Sequence, residues 1–356
     1  MSLRFLDVAG ARAASLPWPD VYFSPDYGAA LEISDGARWE VAVYEPGPIL
    51  LPYLKRPVDL ETASEAGETE PLFDLVGPYG YAGAWAPEGT PTEVWRAFRS
   101  EFHAAARARG SVAEFLRLTS LVPGATELAA SDDTVEVLRL SETFRVDLTC
   151  GEETYWSRAE GRHRTSTRKA TKVGLRADVR PLQAGDMAPD SAFRALYEGT
   201  MRRVSATPYY LFDPAYYERL DEGLRGRTWL GSVLDAEDRP VASALFFRWG
   251  ELVHYHLAGS EQQAARNGAN NLLLDAVVRH GMAEGATGFH LGGGLREGDA
   301  LHKFKRSLGG DALPFQVARC ILDSVRYQRL CAARAKLTAR TSGDLVATGW
   351  FPAYRA

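Results

Sequence analysis

Short β-rich runs alternate with helical segments along the whole chain, and this alternation limits the possible folds more than any other feature of the sequence. The run Trp39–Tyr44 is rich in β-branched and aromatic residues, as strands are. Residues Thr92–Gly110 instead place Trp95, Phe98 and Phe102 on one helical face. A similar order of strands and helices follows in the second half of the chain. The pattern predicts an α+β protein and hints at two copies of one fold.

Length and composition exclude several classes of protein. At roughly 100–200 residues per domain, 356 residues favour two domains. Apolar residues make up 46% and charged residues 24%, which argues against disorder, collagen and coiled coils. The formal net charge of -5 excludes a uniformly basic coat for nucleic acid, although a local basic patch remains compatible with it.

The cysteines and the apolar runs indicate the cellular compartment in which the protein is expected. The three cysteines form no CxxC pair, so we expect neither a disulfide scaffold nor a cysteine-rich zinc site. No apolar run approaches the ~18 residues of a membrane span. Asp7 and Arg12 interrupt any signal-peptide core. We therefore expect a soluble, cytoplasmic protein.

A glycine triplet, Gly292–Gly294, lies between a predicted strand and a predicted helix. Glycines at such a bend allow a ligand or another backbone to approach closely. We expect Leu301, Phe304 and Leu308 to form the buried stripe of the helix, with basic residues on the rest of its circumference. Four basic side chains beside a glycine bend suit an anion or oxyanion site, although they could equally complement the helix dipole. These four are His302, Lys303, Lys305 and Arg306.

A second basic segment runs from Trp156 to Arg180 and includes Arg164, Arg168 and Lys172 on a predicted helix. In an acidic protein, this local density suits the phosphates of RNA or of a nucleotide-linked ligand. The alternative is a solvated helix face whose cations pair with Glu152, Glu153 and Glu160.

Two further segments give weaker signals. The turn Arg266–Asn271 precedes a predicted helix, where backbone N–H groups could hold a diphosphate, but only Gly268 fits the glycine pattern that coenzyme A requires. His254 and His256 share a strand face without a third metal ligand at a fitting spacing, which favours packing over metal binding. We expect neither a metal nor a cofactor.

Five segments carry motifs that occur together in one known family. They are Leu75–Gly83, the stretch from Phe144 to Lys172, Tyr197–Arg203, the stretch from His254 to Leu273, and Leu291–Gly309. In this order they resemble the FemABX-like branch of the GNAT acyltransferase superfamily. The resemblance spans residues 20–320, and its closing glycine-rich and F-K-R motif is the most specific part.

The resemblance implies two tandem GNAT-like domains with mixed β-sheets flanked by helices. We place the N-terminal domain at residues 1–143 and the catalytic C-terminal domain at residues 144–320. Residues 321–356 are expected to form a helix and a returning strand, the strand within Asp344–Tyr354, that pack on the first domain. The substrate groove is expected at the second domain and its interface.

The resemblance also implies a reaction. Members of the family join an activated acyl group, often an amino acid esterified to tRNA, to a primary amine of a cell-wall precursor or natural product. The family's functional lysine maps to Lys305, with Phe304 beside it, and would stabilise the oxyanion of the ester. Substrate-binding roles map to Arg203, Tyr255, Tyr209, Tyr79 and Gly293, and the donor and its phosphates are expected at Arg164, Arg168, Lys172, Lys303 and Arg306. The expected partners of this monomer are an aminoacyl-tRNA donor and a small amine or peptide acceptor.

Two features depart from the family's pattern. The cell-wall enzymes carry a lysine on a first-domain helix where this chain has Leu31–Glu32, so a different acceptor would also fit. A long heptad-patterned arm is missing as well. An N-acyltransferase that takes acyl-CoA or an acyl carrier protein remains the alternative, as does a non-catalytic binding module.

Overall fold

The computed structural model describes residues 2–45, 47–124, 127–128, 131–294 and 296–356. The chain divides into two compact units. The first comprises Met1–Arg139 together with Phe315–Ala356, and the second comprises Leu140–Pro314. The end of the chain thus returns to the first unit.

Strands and helices alternate through the described residues. The strands are β1 (Ser2–Asp7), β2 (Arg38–Glu45), β3 (Ile49–Pro57), β4 (Phe73–Val76), β5 (Ser111–Leu118), β6 (Glu136–Asp147), β7 (Arg176–Pro181), β8 (Thr228–Leu234), β9 (Pro240–Trp249), β10 (Leu252–Ser260), β11 (Gly288–Gly293) and β12 (Asp311–Ile321). The α-helices are α1 (Val8–Ala13), α2 (Pro25–Asp35), α3 (Leu60–Glu65), α4 (Thr92–Ala108), α5 (Glu152–Arg158), α6 (Gly161–Lys172), α7 (Ala192–Arg203), α8 (Pro214–Leu224), α9 (Gln262–Arg266), α10 (Ala269–Ala283), α11 (Ala300–Arg306), α12 (Ser324–Leu337) and α13 (Ser342–Ala347).

The sheets of the two units have the same topology. In the first unit the strand order is β1-β2-β3-β4-β5-β12, and in the second it is β7-β8-β9-β10-β11-β6. Neighbouring strands are antiparallel except for β4 with β5 and β10 with β11, which are parallel. Each unit is therefore one copy of a mixed α+β fold, as the order of elements predicts.

Local signals in the sequence explain where several helices begin and end. Ser24 accepts a hydrogen bond from the backbone N–H of Tyr27 at 3.2 Å, and Pro25 occupies the first turn of α2. On α4, Trp95, Phe98 and Phe102 are buried together in the core of the first unit, as their spacing predicts. The helix predicted at Thr92–Gly110 is thus confirmed as α4.

The expected returning strand within Asp344–Tyr354 is wrong. Residues Ser342–Ala347 are α-helical because the Thr341 hydroxyl and the Asp344 carboxylate cap each other's backbone N–H groups. The strand that returns to the first unit is β12, which pairs antiparallel with β5 from Gln316 to Ile321. Helix α12 follows β12 and buries Tyr327 and Leu330 in the first unit.

A buried ionic cluster ties α4 to β5 in the first unit. The guanidinium of Arg99 donates to both carboxylate oxygens of Glu114, at 3.0 and 2.6 Å, and to Asp132 at 3.3 Å. Burial, the largest single cause, would raise the pKa of Glu114, but the charge of Arg99 and the hydrogen bonds from His103 and Arg99 together outweigh it and lower this pKa to about 2. Among the described helices, none combines the length and the apolar content of a membrane-crossing segment.

We predict that Glu114→Gln lowers the free energy of unfolding by about 3–5 kcal/mol at pH 7, because it leaves Arg99 buried without its main counter-charge. The pKa of Glu114 is lower in the folded state than the ordinary 4.5. Its contribution is therefore present above pH 4.5 and is lost as the pH falls toward 2. Denaturant titrations of the intact chain at pH 7 and pH 3 measure both effects. Glu93→Gln, on the exposed face of α4, is the control. A stability difference between the wild type and the Glu114→Gln variant that stays constant with pH would contradict the assignment.

Candidate functional site

The two parallel strands of the second unit diverge. The register of β10 with β11 runs as far as His254 opposite His290. Beyond that position β10 stays with β9 to Ser260, while β11 stays with β6 to Gly293. A wedge therefore opens between the strands at the carboxyl end of each.

The glycine triplet at the end of β11 shapes one side of this wedge. Each of its three positions requires glycine for a different reason. Gly292 has φ +68°, a left-handed conformation that favours glycine. A Cβ on Gly293 would lie 2.6 Å from the carbonyl oxygen of Glu142, and one on Gly294 would lie 2.4 Å from the Asp299 carboxylate. The groups that approach these glycines closely are therefore the backbone of Glu142 and the side chain of Asp299. Leu295, in the same motif, lies outside the described residues.

Helix α11 brings Lys305 back to the wedge. Asp299 caps this helix by accepting from the backbone N–H of His302 at 2.6 Å. The Nζ of Lys305 donates to the carbonyl oxygen of Gly293 at 2.9 Å and lies 5.4 Å from the centre of the Tyr255 ring. Tyr255 is the first residue of β10 beyond its pairing with β11. The amine of Lys305 therefore lies between the two strands where they diverge.

Lys305 is buried, with 7% of its surface exposed. Burial lowers its pKa to about 7, although the Asp299 carboxylate acts in the opposite direction. Burial also raises the pKa of the Tyr255 hydroxyl. At neutral pH the amine of Lys305 thus exists in both its neutral and its charged form.

The expected buried stripe is confirmed at Leu308, which is buried, and in part at Phe304, but it is wrong at Leu301. Leu301 is 41% exposed, whereas His302 and Lys305 are buried. The ring of His302 lies 5.0 Å from that of Phe144, edge to face, so His302 is not one of the accessible basic groups. Phe304 is partly buried against the core of the second unit, beside the wedge.

Sequence reasoning singles out His254 and His256 but misses His290, which lies beside His254. His254 and His290 are fully buried, with ring centres 5.6 Å apart. The Nε2 of His256 lies 3.0 Å from the hydroxyl of Tyr216 on α8. A usable signal was present, because His290 falls on the strand that leads directly into the glycine motif.

Arg203, one of the expected substrate-binding residues, lies away from Lys305. Arg203 donates to the carbonyl oxygen of Ser260 at 2.9 Å, at the far end of β10. Five residues of strand separate Ser260 from Tyr255, or about 16 Å. Arg203 lines a cavity of about 380 Å³ beside α7. Tyr209 packs edge to face on Phe212 in the loop after α7.

Tyr79 belongs to the first unit. Its carbonyl oxygen accepts a hydrogen bond from the hydroxyl of Tyr27 at 2.8 Å. The structure thus brings together Lys305, Phe304, Tyr255 and Gly293 among the expected catalytic and substrate-binding residues. The role of Tyr79 stays a prediction.

Helix α6 carries the expected donor-binding cations in two different environments. The guanidinium of Arg164 donates to the carbonyl oxygens of Trp156 and Ala159 at the end of α5. Arg168 is exposed with its guanidinium 5.7 Å from the ring of Trp156, and Lys172 is exposed at the end of α6. Arg164 therefore has a structural use, whereas Arg168 and Lys172 face solvent.

The remaining two cations lie on the solvent side of α11. Lys303 and Arg306 are both exposed. Arg306 lies 3.4 Å from Glu160, which also pairs with Arg162 at 2.8 Å. The backbone oxygen of Lys303 accepts from Arg162. Arg162, Lys303 and Arg306 thus meet at Glu160, which partly neutralises them. Together with Arg168 and Lys172, which are exposed farther along α6, we call them the basic surface.

Helix α6 also covers the turn where a diphosphate would bind. A Cβ on Gly268 would lie 2.2 Å from the carbonyl oxygen of Ser166, and Lys169 donates to the carbonyl oxygen of Arg266 at 2.8 Å. Residues Gln262–Arg266 are helical rather than an open loop. The backbone N–H groups at the start of α10 are therefore poorly arranged for coenzyme A, as the sequence indicates.

Comparison with known proteins supports this description. Residues 157–306 match the family model described as an acetyltransferase (GNAT) domain. No curated protein matches the sequence. The solved structure of FemX is 14% identical, with a TM-score of 0.65 over 92% of this chain and 99% of that one.

Two further solved structures share the fold. The C-terminal domain of a putative lysylphosphatidylglycerol synthetase from Agrobacterium fabrum is 15% identical, with a TM-score of 0.53 over 88% of this chain and 90% of that one. The L-PGS structure from Bacillus licheniformis is 13% identical, with a TM-score of 0.52 over 86% of this chain and 90% of that one. The predicted resemblance is thus confirmed: the fold of the chain is similar to that of FemX, and residues 157–306 match the model of a GNAT acetyltransferase domain.

Proposed function

We propose that the protein forms an amide bond by transferring an amino acid from aminoacyl-tRNA to a primary amine of a cell-wall precursor or natural-product acceptor. The GNAT domain and the FemX-like fold support acyl transfer as the class of reaction. The observation that carries the proposal is the buried amine of Lys305, held between two diverging strands by the carbonyl oxygen of Gly293.

Lys305 has two uses in this reaction. An acceptor amine arrives protonated and must lose a proton before it can attack the ester carbonyl. With a pKa of about 7, about half of the Lys305 side chains are neutral at pH 7 and can take that proton. The ammonium so formed then stabilises the developing oxyanion, a contribution of about 3–4 kcal/mol for one well-placed donor.

The other steps need little from the protein. As the amine nitrogen bonds to the carbonyl carbon, the ester C–O bond breaks and the leaving oxygen takes the second amine proton. Esters are already activated, and juxtaposition of amine and ester supplies up to ~7–11 kcal/mol of the barrier. Tyr255 and Phe304 provide an apolar wall beside Lys305 that excludes water and keeps its amine desolvated.

The basic surface of α6 and α11 supports a tRNA donor. Arg168, Lys172, Lys303 and Arg306 are exposed on it and can contact phosphates without displacing structural hydrogen bonds. The turn at Gly268 is covered by α6, which is unfavourable for coenzyme A. The name of one structural relative, a putative lysylphosphatidylglycerol synthetase, supports an amino acid as the transferred group.

A second candidate is N-acyl transfer from acyl-CoA or an acyl carrier protein. The match of residues 157–306 to a domain described as an acetyltransferase favours it. Incubation with charged tRNA, with acetyl-CoA, or with neither, followed by mass spectrometry of amine acceptors, separates the two. Transfer from acetyl-CoA alone would eliminate the tRNA-dependent reaction.

We predict that Lys305→Ala lowers kcat by about 100-fold or more. Wild-type kcat should rise with pH through about 7, because the neutral form of Lys305 takes the proton, and the residual activity of the variant should lack this rise. Lys336→Ala, at an exposed lysine of the first unit, is the control. A wild-type kcat that falls as the pH passes 7 would mean that Lys305 acts only as a cation.

The basic surface gives a separate prediction. Reversing the charges of Arg168 and Lys172 to Glu should weaken tRNA binding and reduce the slope of log K against log salt by about 2, or about 1 for each lost phosphate contact. Arg219→Glu, on the exposed face of α8, is the control for a charge reversal elsewhere on the protein. Equal salt slopes for all three proteins would show that this surface does not hold the donor.

The glycine triplet gives a prediction about position. Gly294→Ala places a Cβ 2.4 Å from the Asp299 carboxylate that caps α11, so the helix and Lys305 must shift. We expect kcat to fall at least tenfold, since displacement of about 1 Å can cost a hundredfold. Gly226→Ala, where a Cβ meets open space, is the control. An unchanged kcat in the Gly294→Ala variant would show that the triplet does not determine the position of Lys305.

A further inference from the structure

An aromatic side chain lies beside the cations of the basic surface. Trp156, on α5, is partly exposed, while the rest of its ring packs against the core of the second unit. The guanidinium carbons of Arg168 on α6 and Arg279 on α10 lie 5.7 and 5.8 Å from the centre of this ring. At such distances a cation is attracted to the electrons of an aromatic ring. Three helices and two positive charges thus meet at one indole.

Buried contacts hold this ring in position. The ring of His163 lies 6.3 Å from that of Trp156, edge to face. His163 is fully buried, with its Nε2 3.3 Å from the Tyr155 hydroxyl and its Nδ1 3.0 Å from the side-chain amide of Asn271. A ring fixed in this way loses little conformational entropy when a ligand covers its exposed part.

The two arginines beside the ring differ in their availability. Arg279 is engaged by acidic side chains, since its Nε donates to Asp275 at 3.0 Å and its Nη1 donates to Glu152. Arg168 is exposed, and within the described parts of the chain it has no hydrogen bond or ion pair besides its contact with the indole. A guanidinium in this position can bind a phosphate while the ring stacks on the attached base.

The segment that carries Trp156 is joined directly to the helix that carries Lys305. Four residues after Trp156, the backbone N–H of Glu160 donates to the carbonyl oxygen of Ser307, at the end of α11, at 2.9 Å. The Glu160 carboxylate also lies 3.4 Å from the guanidinium of Arg306 on α11. The aromatic ring and the buried amine therefore lie on adjoining elements, as is required if one donor contacts both.

An unpaired RNA strand suits this arrangement better than a duplex. The bases of a duplex stack on one another, whereas the bases of an unpaired end can stack on an aromatic side chain. A tRNA carries its amino acid on such an unpaired 3′ end. Trp156 offers the stacking surface, and the exposed Arg168 and Lys172 offer charge to the neighbouring phosphates.

We propose that an unpaired base at the 3′ end of the tRNA donor stacks on Trp156, and that Arg168 binds a phosphate next to that base. The inference rests on the proposed function and names the part of the donor that this segment holds. Stacking involves no ion pair, so the ring contributes affinity that is insensitive to salt, whereas Arg168 contributes affinity that salt weakens. Every base has a flat face, so this contact selects an unpaired end without selecting its sequence.

Binding of two RNA hairpins to the full-length protein tests this role. One hairpin carries an unpaired 3′ tail and the other is blunt, so only the first offers a base for stacking. We expect Trp156→Leu to weaken binding of the tailed hairpin about tenfold, to leave binding of the blunt hairpin within about twofold, and to keep the slope of log K against log salt. Trp156→Phe keeps an aromatic ring and should stay within about threefold of wild type. Trp350→Leu, at a tryptophan of the first unit that is 61% exposed, is the control and should bind both hairpins like wild type.

Several outcomes would overturn the stacking role. Equal binding of the tailed hairpin by the wild type and Trp156→Leu would show that no base stacks on the ring. Equal losses for both hairpins, or a flatter salt dependence, would mean that the ring only supports the neighbouring cations. Should Trp156→Leu fail to fold, ultraviolet crosslinking of the wild type to a tail that contains thiouridine decides. A crosslink within residues 152–172 supports stacking there, and crosslinks confined to other parts of the chain reject it.

The proposed function fails in a different way. A wild type that binds the tailed hairpin through Trp156 but forms no amide from charged tRNA would overturn aminoacyl transfer and leave the RNA site in place. A wild type and a Trp156→Leu variant that form the amide from charged tRNA with equal kcat and KM would overturn the stacking role alone.

Discussion

The candidate site depends on the removal of one amine from water. Taking Lys305 from its ordinary pKa of 10.5 to about 7 costs on the order of 5 kcal/mol in the charged state. The packing of the core of the second unit offsets this cost, because it fixes β10, β11 and α11 around the side chain. The Gly293 carbonyl offers the amine one hydrogen bond, and the Tyr255 ring offers a polarisable face. A looser packing would hydrate the amine and return it to an ordinary surface lysine.

The sequence predicts the fold well because its signals are local. The cap at Ser24, the apolar face of α4 and the mixed strand and helix order all follow from neighbouring residues, and all occur in the structure. The candidate site could be predicted only in part. Helix α11 has seven residues, too few for periodicity to decide which side is buried. Its orientation is set instead by Asp299 and the three glycines, and these contacts bury Lys305 rather than Leu301.

The basic segment shows a second limit of sequence reasoning. Counting charges identifies a cationic helix but not the partner of each cation. Arg164 is used to satisfy carbonyl oxygens at the end of α5, a role that depends on the turn between α5 and α6. Arg168, four residues on, is exposed and stays available to a ligand. The two arginines have the same charge and lie on the same helix, so only the folded structure separates a capping cation from a binding one.

The first unit obtains its sixth strand, β12, from a distant part of the sequence, and this arrangement bears on biosynthesis. A ribosome completes residues 1–139 long before it makes β12, so the nascent first unit presents the unpaired edge of β5 while about 170 more residues emerge. Unpaired edges invite wrong pairings between chains. Vectorial synthesis thus leaves the amino-terminal unit unfinished until β12 has emerged, and the docking of that strand becomes a late closing step of folding.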